Sequence, residues 1–340
     1  MKIVPVEDAV GMVLCHDLTR IVPGEFHGVA FKKGHVILEE DIPQMLDIGK
    51  KNVYVWETNE TILHENEAGE RIARAVAGKG ILFTEPSEGK VKLLAECKGL
   101  LKIDFKALEK INVIDEVMVA TLHTDIVVDK GCNIAAARII PLFIEKSKIE
   151  QIEDICKTEG PIVWVAPLKA MKVGVVTTGS EVYTGRIIDK FGPVIKNKVA
   201  KLGCEVIKQI LVSDSESMIV EAINELVVLG SEMIIITGGM SVDPDDVTPA
   251  GIRKSGATII SYGAPVLPGA MFLIAYLGDI PVLGLPGCVM YNKTTVFDLI
   301  LPKIVAGERI KREDITKLGH GGLCTNCEVC TFPACSFGKC

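Results

Sequence analysis

MIIITGGMSVDPDD, residues 233–246, opens on an apolar run, breaks at Thr237 into Gly238, Gly239 and Ser241, and ends among the carboxylates of Asp243, Asp245 and Asp246. It reads as a buried strand delivering an anion-binding loop and a metal-binding carboxylate to one place. Glycines at a strand end let backbone N–H groups approach a phosphate, because no Cβ blocks the contact and positive φ costs little. Carboxylates beside such a loop would repel a phosphate unless a hard cation such as Mg²⁺ lay between them. The stretch therefore predicts a phosphorylated ligand with a metal, against the plainer alternative of a tight turn before an acidic helix start.

Three more loops of the same kind lie in the C-terminal half. In KVGVVTTGSEVYTGRIID, residues 172–189, an apolar strand ends at Thr177, Thr178, Gly179 and Ser180, with Glu181 just beyond and Gly185 to Asp189 leading into a helix. In IPVLGLPGCVMYN, residues 280–292, a strand ends at Pro286-Gly287, and Pro268-Gly269 separates two further apolar runs. Strands near Val173, Val206, Ile234, Thr258, Phe272 and Val282 alternate with helical patterns over 187–202, 215–229, 248–255 and 289–305. That alternation predicts an α/β, doubly wound layer structure, in which loops at the carboxyl ends of the strands converge on one crevice.

The ordered set TTGSE, G-x-x-x-D, TGG-x-S-x-x-x-x-D, PG and LPG resembles the molybdopterin-binding domain. That domain is shared by molybdopterin adenylyltransferases, molybdopterin molybdenumtransferases, the gephyrin E domain and the competence-damage proteins. The resemblance covers about residues 169–308 and is strongest to the molybdenumtransferase and gephyrin branch. It implies molybdenum-cofactor biosynthesis: molybdate inserted into adenylylated molybdopterin with Mg²⁺ assistance. Glu181 and Asp246 match the family residues that handle metal and molybdate, and Asp189 matches an aspartate that lies near the pterin, so the resemblance implies a catalytic set of Glu181 and Asp246 with Asp189 assisting. Thr178, Gly179, Ser180, Thr237, Gly238, Gly239, Ser241, Pro268, Gly269, Pro286 and Gly287 match the loops that hold the cofactor. A magnesium held by carboxylates suits this chemistry, since it polarises a phosphoanhydride and neutralises charge as AMP leaves.

Two motifs depart from the family. Ser241-Val242-Asp243-Pro244 stands where relatives carry SxG, and Leu285-Pro286-Gly287-Cys288-Val289 where many carry LPGNP. The complete transferases also carry a β-barrel after the binding domain, where this chain has a short tail. Two further readings stay open: a non-catalytic cofactor carrier or sensor serving a molybdoenzyme, and a molybdopterin adenylyltransferase. The resemblance also implies a homodimer.

At 340 residues, with 48% apolar content, the chain suits about two domains with ample cores. Its net charge of −7 argues against nucleic acid as a partner. No leader-like apolar stretch follows Met1, and no apolar run approaches the ~20 residues that cross a bilayer. The expectation is a cytoplasmic protein without a membrane. Residues 1–165 read as an N-terminal α+β accessory region, 169–308 as the binding domain, and 309–340 as a Cys-rich tail. Within the first region a helix over 40–48 stops at Gly49, a strand runs over 52–56, a helix starts with an exposed His64, and His123-Thr124-Asp125 forms a turn.

Five of the eleven cysteines fall in the tail: Cys324, Cys327, Cys330, Cys335 and Cys340. The C-x₂-C-x₂-C opening is ferredoxin-like, because two-residue gaps let successive thiolates turn toward one [4Fe-4S] cluster. The next cysteine follows after four residues, which leaves the fourth ligand open between Cys335 and Cys340. Zinc suits the same C-x₂-C pairs, and a mobile thiol tail is the third alternative.

Overall fold

The computed structural model describes all residues except 1, 23–25, 56–60, 242, 245 and 340, and the side chains of Val22 and Phe26. The chain forms two compact units. One comprises Met1–Leu94, Ile103–Leu122 and Gly131–Trp164; the other comprises Ala95–Lys102, His123–Lys130 and Val165–Cys340.

The first unit is α+β. A strand Lys2–Pro5 pairs antiparallel with Asn52–Val55, and the helix Asp41–Asp47 between them ends ahead of Gly49, whose φ of +81° stops it. Trp56, the expected end of the second strand, lies outside the described residues. A four-stranded sheet of Ile81–Phe83, Val91–Ala95, Asn133–Ile139 and Val117–Thr121 carries the helix Glu65–Val76. That helix buries Ile72, Ala73 and Val76 and pairs Arg71 with Glu153 of the helix Lys146–Glu159 through two bonds of 2.8 and 2.9 Å. His64 does begin this helix, but it is buried rather than exposed. Its Nδ1 accepts from the Asn66 amide at 3.1 Å, and its Nε2 lies 2.7 Å from the Cys15 carbonyl.

The second unit is built on a six-stranded sheet. Its strands are β1 (Lys172–Thr178), β2 (Glu205–Val212), β3 (Met233–Thr237), β4 (Thr258–Tyr262), β5 (Leu273–Leu277) and β6 (Ile280–Leu285). They lie in the order β2-β1-β3-β6-β5-β4, with β2, β1, β3 and β6 parallel and β5 antiparallel to both of its neighbours, β6 and β4. Every residue of β3 is buried. A central parallel strand is covered on both faces, so an unbroken β-branched run is what it needs. Val173, Val175, Met233, Ile235, Leu283 and Leu285 point into one core, and Val176, Ile234, Ile236 and Val282 into the other.

The helices divide accordingly. α2 (Phe191–Ala200) and α5 (Val296–Val305) cover the first face; α3 (Glu216–Val228) and α4 (Thr248–Lys254) cover the second, while α1 (Ser180–Tyr183) is a single turn after β1. Two of these helices start later than their hydrophobic pattern suggests. The Asp189 carboxylate accepts from the Phe191 and Gly192 amides at 2.8 and 3.0 Å, so α2 begins at 191 rather than 187. Thr295 and Asp298 form a reciprocal capping box, so α5 begins at 296, and 287–290 is a separate 3₁₀ turn.

Two segments from the N-terminal half join this unit. Residues 99–101 and 126–128 pair antiparallel, and Asp125, just ahead of the second of these strands, meets Lys102 at 2.5 Å and Lys303 at 2.6 Å, while Lys102 also meets Glu308 at 2.7 Å. Burial alone would raise the Asp125 carboxyl, but the two lysines outweigh it and hold the group below the usual carboxylate range. The compact units thus interleave along the sequence instead of dividing at residue 165. The 309–340 segment is packed on the first-face core through Ile310, Ile315, Leu318 and Phe337. No helix among the described residues is long and apolar enough to cross a membrane.

Candidate functional site

The strand registers bring four loops to one edge of the sheet. Thr177 pairs with Thr237, Thr237 with Leu285, and Thr178 with Val212, so β1, β3, β6 and β2 end together. Tyr262 pairs with Leu273 and Leu273 with Gly284, which puts the β4–β5 turn and its Pro268-Gly269 pair at the same edge. From β1 the chain crosses to β2 on one side and returns to β3 on the other, so β1 and β3 flank the topological switch point where α/β sheets open a crevice.

Buried hydroxyls lock the two glycine turns together there. Thr237 Oγ1 donates to Thr177 Oγ1 at 3.3 Å, and Thr178 Oγ1 stands 3.4 Å from Thr248 Oγ1, which in turn donates to the Gly238 carbonyl at 2.9 Å. Gly238 and Gly239 have φ of +90° and +57°. A Cβ on Gly238 would run into the Thr178 carbonyl oxygen, and one on Gly239 would lie 2.6 Å from Thr248 Oγ1. Both positions demand glycine twice, for conformation and for space.

The carboxylates differ in how they are held. Asp189 accepts from the start of α2 and also from Gln209 Nε2 at 2.6 Å; the same Gln209 nitrogen lies 3.0 Å from Thr177 Oγ1. Asp189 thus ties α2 to the end of β1. Asp246 Oδ2 accepts from the Ser241 amide at 2.8 Å, folding the TGG loop back on itself. Burial first, and then the Asp246 charge, push the nearby Tyr262 phenol up, and its hydroxyl donates to the Met240 carbonyl at 3.3 Å. Glu181 is exposed on α1. Ser180 is committed: its amide and hydroxyl donate to Asp214 Oδ2 at 2.8 and 3.1 Å.

The Pro268 carbonyl accepts from the Val296 amide at 3.2 Å, and a Cβ on Gly269 would meet Val296 Cγ1 at 2.5 Å, so this turn sits against the start of α5. Pro286 and Gly287 open the 3₁₀ turn after β6. Three positioning residues carry no motif of their own. Gln209 is a polar residue within an otherwise largely apolar strand, Asp214 sits in a Ser-Asp-Ser turn before α3, and Thr248 opens α4.

Two cavities lie elsewhere in this unit. One of about 680 Å³ runs between α2, the 124–129 segment and the tail, with Lys98, Lys198, Lys201, Lys293 and Lys339 among its walls. One of about 290 Å³ is lined by Cys324, Cys327, Cys330 and Cys335 together with the 291–294 segment. Neither is lined by the TTG or TGG residues, although the largest cavity is the usual first guess for a ligand site. The glycine turns are built from backbone at an open sheet edge, where enclosed volume is a poor guide. Cys340 lies outside the described residues. Among the described residues no three His, Cys, Asp or Glu side chains gather closely enough to hold a single ion.

Comparison with known proteins places this architecture. Residues 174–306 match the family described as "Probable molybdopterin binding domain", and residues 3–57 match a domain of unknown function, DUF8806. A CinA-like protein of Mycobacterium sp. (strain MCS) is 32% identical over 83 residues, 24% of this chain and 20% of that protein. One from Geobacter sp. (strain M21) is 30% identical over 97 residues, 28% of this chain and 23% of that protein. The chain therefore spans about a fifth of the length of these curated relatives. Among solved structures, the molybdopterin biosynthesis enzyme MoaB of Thermus thermophilus is 21% identical, with 42% of this chain and 99% of that one covered and a TM-score of 0.34. The tungsten cofactor synthesizing protein MoaB of Pyrococcus furiosus is 23% identical, with 40% and 92% covered and a TM-score of 0.32. From residue 174 to residue 306, the doubly wound domain whose threonine-locked glycine turns meet at the switch point belongs to the molybdopterin-binding domain family.

Proposed function

We propose that the crevice between β1 and β3 binds a molybdopterin and that the chain inserts molybdate into its adenylylated form. The observation that carries this reading is the cross-link of the two glycine turns through Thr177, Thr178, Thr237 and Thr248. It fixes close-approach backbone at the place where this sheet topology receives a ligand. The Ser241 hydroxyl and the glycine backbone suit the anionic end of the ligand, while the buried Thr237 hydroxyl donates within the lock. Asp189 acts through Gln209 and the start of α2 as a positioning residue.

Glu181 and Asp246 are the oxygen donors that would hold Mg²⁺. Magnesium is commonly bound through one or two carboxylates plus substrate phosphates and waters, so a two-carboxylate set fits it without a third protein ligand. When bound, the ion neutralises charge on the phosphoanhydride. On this reading the working form is a homodimer that hands its product to a molybdoenzyme.

The test is AMP release under strict anaerobiosis from adenylylated molybdopterin incubated with the protein, Mg²⁺ and molybdate. Molybdate-dependent release supports the insertion reading; adenylyl transfer from ATP to molybdopterin instead would replace it with the adenylyltransferase reading. A second reading, a carrier or sensor of the cofactor, is favoured by the thiol-lined cavity beside the same sheet edge. Tight pterin binding with no AMP release would select it.

A further inference from the structure

The tail is an ordered loop rather than a loose end. The Gly338 amide donates to the Gly321 carbonyl at 3.0 Å, closing residues 321–338 on themselves. Gly338 has φ of +75°, and a Cβ there would run into Leu299 of α5. At the entry, the Leu267 amide donates to the Gly322 carbonyl and the Cys324 amide to the Leu267 carbonyl, each at 2.8 Å. This bridge fastens the first cysteine to the turn that carries Pro268-Gly269. Asn326, at φ of +50°, turns the chain between Cys324 and Cys327, and Phe337 anchors the far end in the core.

The result is that four cysteines face one cavity of about 290 Å³. Phe332 and Phe337 supply apolar walls, with ring centroids 6.3 Å apart, and Thr294 brings a hydroxyl to 3.5 Å from Cys330 Sγ. A tetrahedral zinc, with Zn–S near 2.3 Å, needs its four sulfurs within roughly 3.8 Å of one another. Among the described residues no three His, Cys, Asp or Glu side chains form such a single-ion site. A cubane presents a separate iron to each thiolate, so it requires sulfurs distributed around a volume, and an apolar wall with hydrogen bonds to sulfur is its usual setting.

We propose that Cys324, Cys327, Cys330 and Cys335 hold a [4Fe-4S] cluster in this cavity, next to the Pro268-Gly269 turn and the 291–294 segment. Cys335 is the fourth ligand, because it lines the cavity that the first three share. The inference does not depend on what the crevice binds. Loading is a ligand exchange: a cluster carried on four small thiolates passes to four cysteines, whose protons leave with the released thiols, and no electron is gained or lost.

The experiment incubates the full chain anaerobically with a preformed [4Fe-4S] complex of a small thiol, followed by desalting. Retention of about four iron and four sulfide per chain, with a visible charge-transfer band bleached by dithionite, is expected. Cys335→Ser and the more exposed Cys327→Ser should each lower retained iron at least tenfold, with far-ultraviolet circular dichroism unchanged. Cys340→Ser and Cys97→Ser should keep it. A colourless protein, a two-iron spectrum, zinc retained in place of iron, or loss with Cys340→Ser instead of Cys335→Ser would overturn the proposal. Should Cys335→Ser fail to fold, Cys327→Ser decides it alone.

Discussion

The N-terminal unit and the strand-end crevice both bury polar side chains, and they use them to opposite ends. His64 is 5% exposed and closes on itself: one ring nitrogen meets the Cys15 carbonyl and the other caps the helix Glu65–Val76. Its bonds complete a helix start. The buried threonines of the crevice make bonds that hold backbone in a shape only glycine permits, at the edge where the sheet opens. A buried polar group therefore identifies a site by what it holds in place, and burial by itself says little.

The sharpest way to break this comparison is Gly238→Ala. A residue with a Cβ at φ of +90°, pressed against the Thr178 carbonyl, should cost about 3–5 kcal/mol in urea denaturation. A loss below about 1 kcal/mol would mean that the turn relaxes and that the threonine lock does not define it.

Next in size is the pH dependence of the N-terminal unit. Burial drives the His64 pKa from 6.5 down to about 4, so the folded state refuses a proton that the unfolded chain accepts. Stability is then full above pH 6.5 and falls as pH drops toward 4, by roughly 3 kcal/mol at about 1.4 kcal/mol per unit. Denaturation midpoints measured across that window should fall accordingly and should stay level in His64→Phe, whose mean stability drops with the lost cap. A flat wild-type profile would show that His64 is not sealed.

Asp246→Ala separates holding from chemistry in the crevice. AMP release should fall about 100-fold or more, the scale of losing a metal ligand, while pterin affinity by fluorescence quenching stays within about threefold, or ~0.7 kcal/mol. Equal losses in both would make Asp246 a structural residue like His64. The smallest effect belongs to Asp189→Asn, about 1 kcal/mol for a weakened helix start. Its diagnostic is a change in KM with kcat held, as expected of a positioning residue.

Much of the doubly wound domain was legible because a central parallel strand must be apolar on both faces, as the run at 233–236 is, and because close-approach turns demand glycine. The order of the four loops survived translation into three dimensions through strand register alone. The starts of α2 and α5 did not, since Asp189 and Thr295 decide them by side-chain bonds that a hydrophobic period cannot register. Asp125 reads correctly as a turn, with φ of +63°. Its partners Lys102 and Lys303 are far apart in the chain, so the ion network around this strand pair left no local trace. Gln209 and Asp214 were missed for a similar reason: each is an ordinary polar residue until its partner across the sheet is known.

The hydrogen bonds between Leu267 and residues 322 and 324 tie the turn that carries Pro268-Gly269 to the stretch that leads into the thiol cavity. Linkage between two sites is reciprocal. Whatever free energy a ligand at Pro268-Gly269 lends to the order of the tail, the tail must return to that ligand in equal measure. Were both places occupied, a change at the sulfurs would be felt as a change in grip on that ligand, with no moving domain required.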